Sequence, residues 1–302
     1  MDVNFRLGRM ICREGSTFTA AAAVMAVTAV TLFGAGCASS TEDSGTDSDS
    51  QVAPQGQEGS EDHTAGSQIR LHEGTQGLEE EGLDTASAEA AAATVPGCDV
   101  SGHQGNVNWA AAWNAGARFC YVKATEGTSY RNPNFAQQYN GSYNQGMIRG
   151  AYHFALPNNS NGTTQADFFV DHGGGWSGDG KTLPPALDME YNPYGATCYG
   201  LSASAMVQWV RDFSNRVHTR THKYPMIYTS TSWWSQCTGN NGSFGGTNPL
   251  WIARYSSSVG TLPAGWGFHT IWQYADSGSM PGDQNRFNGA YDRLQALATN
   301  PD

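Results

Sequence analysis

Asp188 and Glu190, separated by one residue, are the side chains whose type and spacing best suit acid–base chemistry. They follow the apolar run Pro184–Leu187. On a strand, residues i and i+2 project to the same side, about 6.6 Å apart along the chain. Two such carboxylates can cooperate at a glycosidic bond, since their repulsion keeps one of them protonated. A structural salt-bridge pair is less favoured, because burying charge at the end of an apolar strand is costly.

The elements that must position this pair are short apolar runs alternating with helical stretches. The predicted strands are Cys98–Val100, Phe119–Ala124, Ile148–Phe154, Pro185–Met189, Met226–Thr229, Leu250–Ala253 and His269–Tyr274. The predicted helices are Asn108–Ala115, Pro133–Gln145, Gly162–Phe169 and Ser202–Thr219, the last with Ser202 as its cap. This alternation predicts a largely parallel sheet. At this length we expect an α/β fold: an irregular TIM-like β/α barrel forming a single catalytic domain over 96–302.

The carboxyl ends of the strands form the active-site face of such barrels. Besides the central pair, the polar and aromatic side chains there are Asp99, Glu126, Tyr152, His153, Tyr228, Trp272, Tyr274 and, beyond the last strand, Asp283. This recurrence of acids and aromatics favours an enzyme that acts on sugars.

Taken singly, several of these residues have simpler explanations. Asp99 and Asp283 equally suit turns. Core packing is the commoner fate of Tyr152, Tyr228 and Trp272, although their strand-end positions favour contact with a sugar. The role of Tyr274 stays open. We expect His153 to be a buried, hydrogen-bonded histidine and Lys123 to pair with Glu126.

Charge divides the chain and excludes one class of partner. Residues 38–95 contain 13 acidic residues and one basic residue, whereas residues 96–302 are neutral, within a formal net charge of −11. A neutral domain has no broad basic face for phosphates, so we expect no nucleic-acid partner. The histidines show no metal-ligand spacing, and we expect neither a metal nor a cofactor.

The N-terminal 1–37 resembles an export signal. Three arginines precede the apolar run Phe18–Phe33 and the small residues before Cys37. This pattern predicts a secretory signal of the lipoprotein type, with lipidation at Cys37. The alternative is an uncleaved membrane anchor. The segment 38–95 is too polar to bury a core, so we expect an acidic disordered linker that is dispensable for catalysis.

The remaining cysteines, Cys98, Cys120, Cys198 and Cys237, form an even set in an exported domain, which suggests disulfides. Cys198 and Cys237 are predicted to lie in long loops after the fourth and fifth strands, and we expect them to be bonded. Cys98 and Cys120 fall on neighbouring strands and are either bonded or simply buried together.

Six motifs in order make the sequence similar to a known family. They are Cys98-Asp99-Val100-Ser101, Val122-Lys123-Ala124-Thr125-Glu126-Gly127, Arg149-Gly150-Ala151-Tyr152-His153-Phe154, Leu187-Asp188-Met189-Glu190, Ile227-Tyr228-Thr229 and Trp272-Gln273-Tyr274, followed by Asp283. Together they resemble glycoside hydrolase family 25, the Chalaropsis-type lysozymes, over essentially all of 96–302. One departure is His103, which stands where the family commonly has a larger aromatic residue.

The resemblance implies hydrolysis of the β-1,4 bond between N-acetylmuramic acid and N-acetylglucosamine in peptidoglycan. It implies an acidic site formed by Asp99, Asp188, Glu190 and Asp283, and we expect an exported monomer. Two alternatives stay open: a non-catalytic lipoprotein that binds the cell wall, and a chitinase-like hydrolase. The complete set of carboxylates argues against the first, because a binding module need not retain an acid.

Overall fold

An eight-stranded closed barrel positions the candidate carboxylates. The computed structural model describes residues 62–75 and 93–302. Its strands are β1 (Thr94–Val100), β2 (Phe119–Glu126), β3 (Tyr130–Arg131), β4 (Ile148–Phe154), β5 (Ala186–Asp188), β6 (Met226–Thr229), β7 (Leu250–Ala253), β8 (Ile271–Ala275) and β9 (Asp283–Asn288). The predicted signal 1–37, with Cys37, lies outside the described residues.

The barrel is parallel except at one strand. β1, β2, β4, β5, β6, β7 and β8 follow one another in parallel, and β9 closes the ring antiparallel to both β8 and β1. β3 forms a short antiparallel extension on the end of β2. The expected irregular TIM-like barrel is therefore confirmed. Asp283, expected beyond the last strand, instead begins β9 and pairs directly with Asp99 of β1.

Helices pack against the barrel, and those between β1 and β7 join its strands. They are α1 (Ser67–Glu73), α2 (Trp109–Asn114), α3 (Phe135–Asn144), α4 (Gly162–Asp171), α5 (Ala203–Thr221), α6 (Thr231–Thr238) and α7 (Tyr291–Thr299). Side-chain caps start four of them, from Asn108, Asn161, Ser202 and Ser230. Each cap accepts an otherwise unpaired N–H of the first turn. The cap expected at Ser202 is among these.

Aromatic rings fill the barrel below the candidate site. Tyr121 stacks on Trp251 with ring centroids 4.7 Å apart, and Tyr228 meets the same indole edge-on at 4.8 Å. The indole N–H of Trp251 donates to Oδ1 of Asn285 at 2.8 Å, so its buried polar atom is satisfied. These large, hydrogen-bonded rings form a rigid floor under the strand ends.

The expectation of a disordered linker over all of 38–95 is wrong for the described part of that segment. Residues 62–75 contain α1 and pack against the barrel, and β1 already begins at Thr94. Composition does not predict this order because the segment needs no core of its own: Ala65 and Ile69 are buried in the barrel's apolar cluster. The rest of the predicted linker, 38–61 and 76–92, lies outside the described residues.

One disulfide connects the loop after β5 to α6. Cys198 and Cys237 are bonded, with Cα atoms 5.3 Å apart, which confirms the predicted pair, although Cys237 lies in a helix rather than a loop. Cys98 and Cys120 are buried, unbonded neighbours on β1 and β2. Within 62–75 and 93–302, no helix is both long and apolar enough to cross a membrane.

Candidate active site

Asp188 ends β5 and is almost completely buried, with 1% of its surface exposed. Neither of its carboxylate oxygens has a hydrogen-bond partner among the described residues. Burial, reinforced by the nearby carboxylate of Glu190, raises the pKa of Asp188 well above its usual range. A buried, unpaired acid costs stability, so its retention points to chemistry rather than to structure.

Glu190 lies two residues beyond Asp188 and is equally buried. Its carboxylate accepts three backbone N–H groups from the segment 62–75: Gly66 at 2.9 Å, Gln68 at 3.1 Å and Ile69 at 2.9 Å. Burial raises the pKa of Glu190 to about 8, although these three donors act in the opposite direction. The sequence offered no sign that this part of the chain would reach the site.

Asp99 and Asp283 face each other across the β1–β9 pairing and share one amide. Nε2 of Gln273 donates to Asp99 at 3.0 Å and to Asp283 at 3.1 Å, and Nδ2 of Asn285 donates to Asp99 at 2.6 Å. Burial raises the pKa of Asp99 to about 7; burial and the neighbouring carboxylates raise that of Asp283 to about 10. Asp99 lies near Asp188, and Asp283 near Glu190, so the four carboxyl groups converge in one buried region.

Three tyrosine hydroxyls border these acids. The hydroxyls of Tyr228 and Tyr255 both donate to Oε1 of Gln273, at 2.7 Å and 2.8 Å. The hydroxyl of Tyr152 accepts the backbone N–H of Ala65 at 3.3 Å. Gln273 and Tyr255 were not among the predicted site residues, although Gln273 stands in the Trp272-Gln273-Tyr274 motif and Tyr255 follows β7 by two positions.

Trp272, expected to contact the sugar, lies on the opposite face of β8 from Gln273. Its ring packs against Tyr274, and the guanidinium of Arg286 lies over the rings of both residues. Its indole N–H donates to the backbone carbonyl of Arg254 at 2.9 Å. Of the predicted aromatic contacts, the structure therefore brings Tyr152 and Tyr228 to the carboxylates but not Trp272.

A buried ion pair lies beside the acids. Nζ of Lys123 is 2.6 Å from Oε2 of Glu126, which confirms the expected pairing, and His63 contacts the other oxygen of Glu126 at 2.9 Å. Hydrogen bonds to Thr125 and Gln165 occupy both ring nitrogens of His153. Its pKa is lowered to about 4 by burial, so His153 is the neutral structural histidine that we expected.

The arrangement suits hydrolysis by carboxyl groups. Asp188 and Glu190 share one end of the barrel, and their environments keep protons available near neutral pH. Among the described residues, no group of His, Cys, Asp or Glu is arranged to hold a metal ion. An acid and a second carboxylate close to it in the chain are the working parts of a glycosidase.

Comparison with known proteins agrees with this geometry. The sequence profile described as Glycosyl hydrolases family 25 matches residues 98–283. The chain belongs to this family. Family 25 membership makes the protein a glycoside hydrolase, and the carboxyl groups described above lie within or at the end of the matched region.

Individual relatives and solved structures support the assignment. An N,O-diacetylmuramidase from Chalaropsis sp is 53% identical over 210 residues, covering 68% of this chain and all of that protein. Lysozyme M1 from Streptomyces globisporus is 49% identical over 211 residues, covering 68% of this chain and 72% of that protein. A family GH25 lysozyme structure from Aspergillus fumigatus has 52% identity and a TM-score of 0.68, covering 69% of this chain and all of that one.

Proposed function

We propose that this family 25 hydrolase is a lysozyme that cleaves the β-1,4 bond between N-acetylmuramic acid and N-acetylglucosamine in bacterial peptidoglycan. The observation that carries the proposal is the buried pair at the end of β5, whose two carboxyl groups both have raised pKa values. The names of its relatives, a diacetylmuramidase and a lysozyme, indicate the substrate class.

In the proposed reaction Glu190 is the general acid and protonates the leaving glycosidic oxygen. The carbonyl oxygen of the substrate's own 2-acetamido group attacks the anomeric carbon as the glycosidic bond breaks. Asp188, ionised when it binds the acetamido group, accepts a hydrogen bond from the acetamido nitrogen and stabilises its developing positive charge. Ionised Glu190 then takes a proton from a water molecule. The water oxygen attacks the anomeric carbon, and the bond from that carbon to the acetamido oxygen breaks, which opens the cyclic intermediate.

Asp188 is suited to this assistance because its oxygens are free of other partners among the described residues. An acceptor already committed to the protein would have to break a hydrogen bond before it could bind the acetamido N–H. Asp188 ends β5 and Glu190 follows it by two residues, a short separation that supports a position for both carboxyl groups on one side of the scissile bond. Classical inversion requires carboxylates on opposite faces of the sugar.

Asp99 and Asp283 are proposed to hold the acetamido group or the water and to keep the pKa of Glu190 raised. Gln273 fixes both carboxyl groups in position through one amide. Tyr152 and Tyr228 are proposed to bind the sugar. Direct attack by Asp188 on the anomeric carbon is the rival mechanism, and it would leave a glycosyl ester on that residue.

A comparison of two polymers tests the substrate. Purified peptidoglycan should be solubilised with new reducing ends at muramic acid, whereas chitin should release little sugar. Glu190→Gln should lose the activity on peptidoglycan while keeping the fold. Preferential release from chitin would support the chitinase-like alternative, and binding to cell walls without hydrolysis would support the wall-binding lipoprotein.

The place of action is proposed to be outside the cytoplasm. The basic and apolar N-terminal segment supports export, and the small residues before Cys37 support attachment of lipid to that cysteine. The substrate is itself extracytoplasmic, so export is required for the proposed activity. The protein is proposed to work as a monomer on glycan strands.

A further inference from the structure

We propose that residues 62–75, here called the docked segment, are autoinhibitory, so that the full chain is latent until this segment leaves the active site. The inference rests on the proposed role of Glu190. The docked segment follows an N-terminal part outside the described residues and is joined to β1 through residues 76–92. Nothing in the catalytic mechanism requires it.

The first observation is that backbone donors of the docked segment bind both carboxylate oxygens of Glu190. Oε1 accepts the N–H of Gly66, and Oε2 accepts those of Gln68 and Ile69. These three donors stabilise the ionised form of Glu190 and act against the burial that raises its pKa. General acid catalysis requires the protonated form, so the docked segment opposes the first step of the reaction.

The second observation is that the segment fills the space next to the acid. Ala65 and Ile69 are buried within the barrel's apolar cluster. A Cβ added to Gly66 would lie 2.0 Å from the hydroxyl of Tyr255 and 2.6 Å from that of Tyr228. No gap remains there for a sugar ring, so substrate and docked segment exclude each other.

The third observation is that the segment's side chains find partners on several sides of the cleft. Asp62 pairs with Nζ of Lys123 at 2.9 Å, and Arg70 forms an ion pair with Asp276. Further along α1, two side chains contact Tyr191. The hydroxyl of Tyr191 donates to Glu73 at 3.0 Å, and the ring of His72 stacks on it with centroids 4.3 Å apart.

These contacts compete with substrate in the manner of a tethered inhibitor. A short tether gives a linked segment an effective concentration on the order of millimolar. Substrate binds only the fraction of molecules from which the segment has left, and its apparent affinity falls by that fraction. Cutting the chain within 76–92 would remove the tether, which makes proteolysis a chemically simple route to activation.

Gly66 offers a variant that releases the segment without changing a barrel residue. Its φ of +87° and its close neighbours forbid a larger side chain in the docked position. Gly66→Val in the full chain should therefore undock the segment. Ile69→Asp is a second, independent variant, because it would bury another carboxylate beside Glu190. Leu71→Ala is the matched control, since Leu71 lies on α1 but is 74% exposed.

Hydrogen–deuterium exchange and clearing of a cell-wall suspension test the inference together. Amides of the docked segment should be protected in the native chain and in Leu71→Ala, and should exchange rapidly in both releasing variants. The releasing variants should clear walls roughly tenfold faster or more, as expected if most native molecules are closed. Absence of protection in the native chain, or released variants no faster than it, would overturn the inference.

A double variant separates this inference from the proposed function. Glu190→Gln added to Gly66→Val should abolish the gain in activity. If the gain persists, Glu190 is not the acid, while the release of activity still supports latency. If neither the native chain nor the released variants clear walls, the proposed function fails. If both clear walls at the same rate, latency fails.

Discussion

Gln273 shows how one neutral side chain organises a cluster of acids. Its NH₂ group donates to Asp99 and Asp283, while its carbonyl oxygen accepts the hydroxyls of Tyr228 and Tyr255. A buried amide with this many partners has one orientation, so the acids around it are held in fixed positions. Their raised pKa values follow from this shared, water-poor environment.

At the residue scale, replacement of Glu190 tests general acid catalysis. Glu190→Gln in the Gly66→Val background should lose about 10²–10⁴ in rate on peptidoglycan, the usual contribution of a positioned acid. The loss should be smaller on an aryl glycoside, whose leaving group needs no proton. Rates on both substrates measure this, with Asp167→Asn as a surface control. An equal loss on both would argue against the acid role.

Asp188 should make the fold less stable as pH rises. Its folded pKa lies above its unfolded value because of burial and the nearby Glu190. The native chain thus loses stability as pH rises from about 4, the unfolded value, through the folded pKa. Asp188→Asn cannot ionise, so its melting temperature should match the native one near pH 4 and exceed it at pH 8. Each kcal/mol corresponds to about 2–4 °C.

Asp167 provides a control of opposite sign for that measurement. Hydrogen bonds from Arg216 and Arg220 lower the pKa of Asp167 on the surface. The contribution of Asp167 to folding stability is present above its unfolded pKa and is lost as pH falls through its lower pKa in the folded state. Asp167→Asn should thus lower stability slightly at pH 8 and have less effect in acid. A parallel response of the two variants would contradict the account of Asp188.

At the scale of elements, the strands that the sequence predicts are those with apolar residues on both faces. Seven of the eight barrel strands could be located in this way because parallel strands are buried on both sides. β9 was missed because its sequence, Asp283–Asn288, is mostly polar. Its inward side chains hydrogen-bond to the acids and to Trp251 instead of packing, so hydropathy gives no signal.

The docked segment escaped prediction for a related reason. Its two large apolar residues, Ile69 and Leu71, stand in an acidic stretch with the composition of a linker. Its position depends on backbone N–H groups that meet Glu190 and on a glycine that fits against Tyr255. Backbone donors carry no sequence signature. By contrast, the carboxylates could be predicted because they are acidic residues at the ends of apolar runs, a pattern that the sequence displays directly.

The disulfide between the β5 loop and α6 should contribute measurably to stability. The bond links residues 39 positions apart and so restricts the conformations that the unfolded chain can adopt. Cys198→Ser should lower the free energy of unfolding by about 2–4 kcal/mol, measured by denaturant titration. The native chain under reducing conditions should approach the variant. Equal midpoints for variant and native chain, or peptide maps with both thiols free, would refute this.

At the scale of the whole molecule, the proposed anchor and the docked segment fit a common purpose. A wall-cleaving enzyme held at the membrane by Cys37 would be close to the wall at all times. Latency would keep it from cutting until the docked segment leaves. Residues 1–37 and 76–92 would then serve delivery and release, while the barrel performs the chemistry.

The mass of the mature N-terminal peptide tests whether lipid is attached to Cys37. Mass spectrometry of protein from a bacterial host should find an acylated Cys37, and Cys37→Ser should move the protein from the membrane fraction to the soluble fraction. An unmodified native protein that starts at another residue would contradict lipidation. Either result leaves the catalytic proposal unaffected, because every candidate catalytic residue lies beyond residue 98.

The anomeric configuration of the first product tests the central mechanistic claim most directly. Proton NMR of peptidoglycan fragments treated with the Gly66→Val chain should show new muramic-acid reducing ends as the β-anomer, before mutarotation. Retention follows if the acetamido group attacks first and water then opens the intermediate from the opposite face. First appearance of the α-anomer would mean inversion and would contradict the roles given to Asp188 and Glu190.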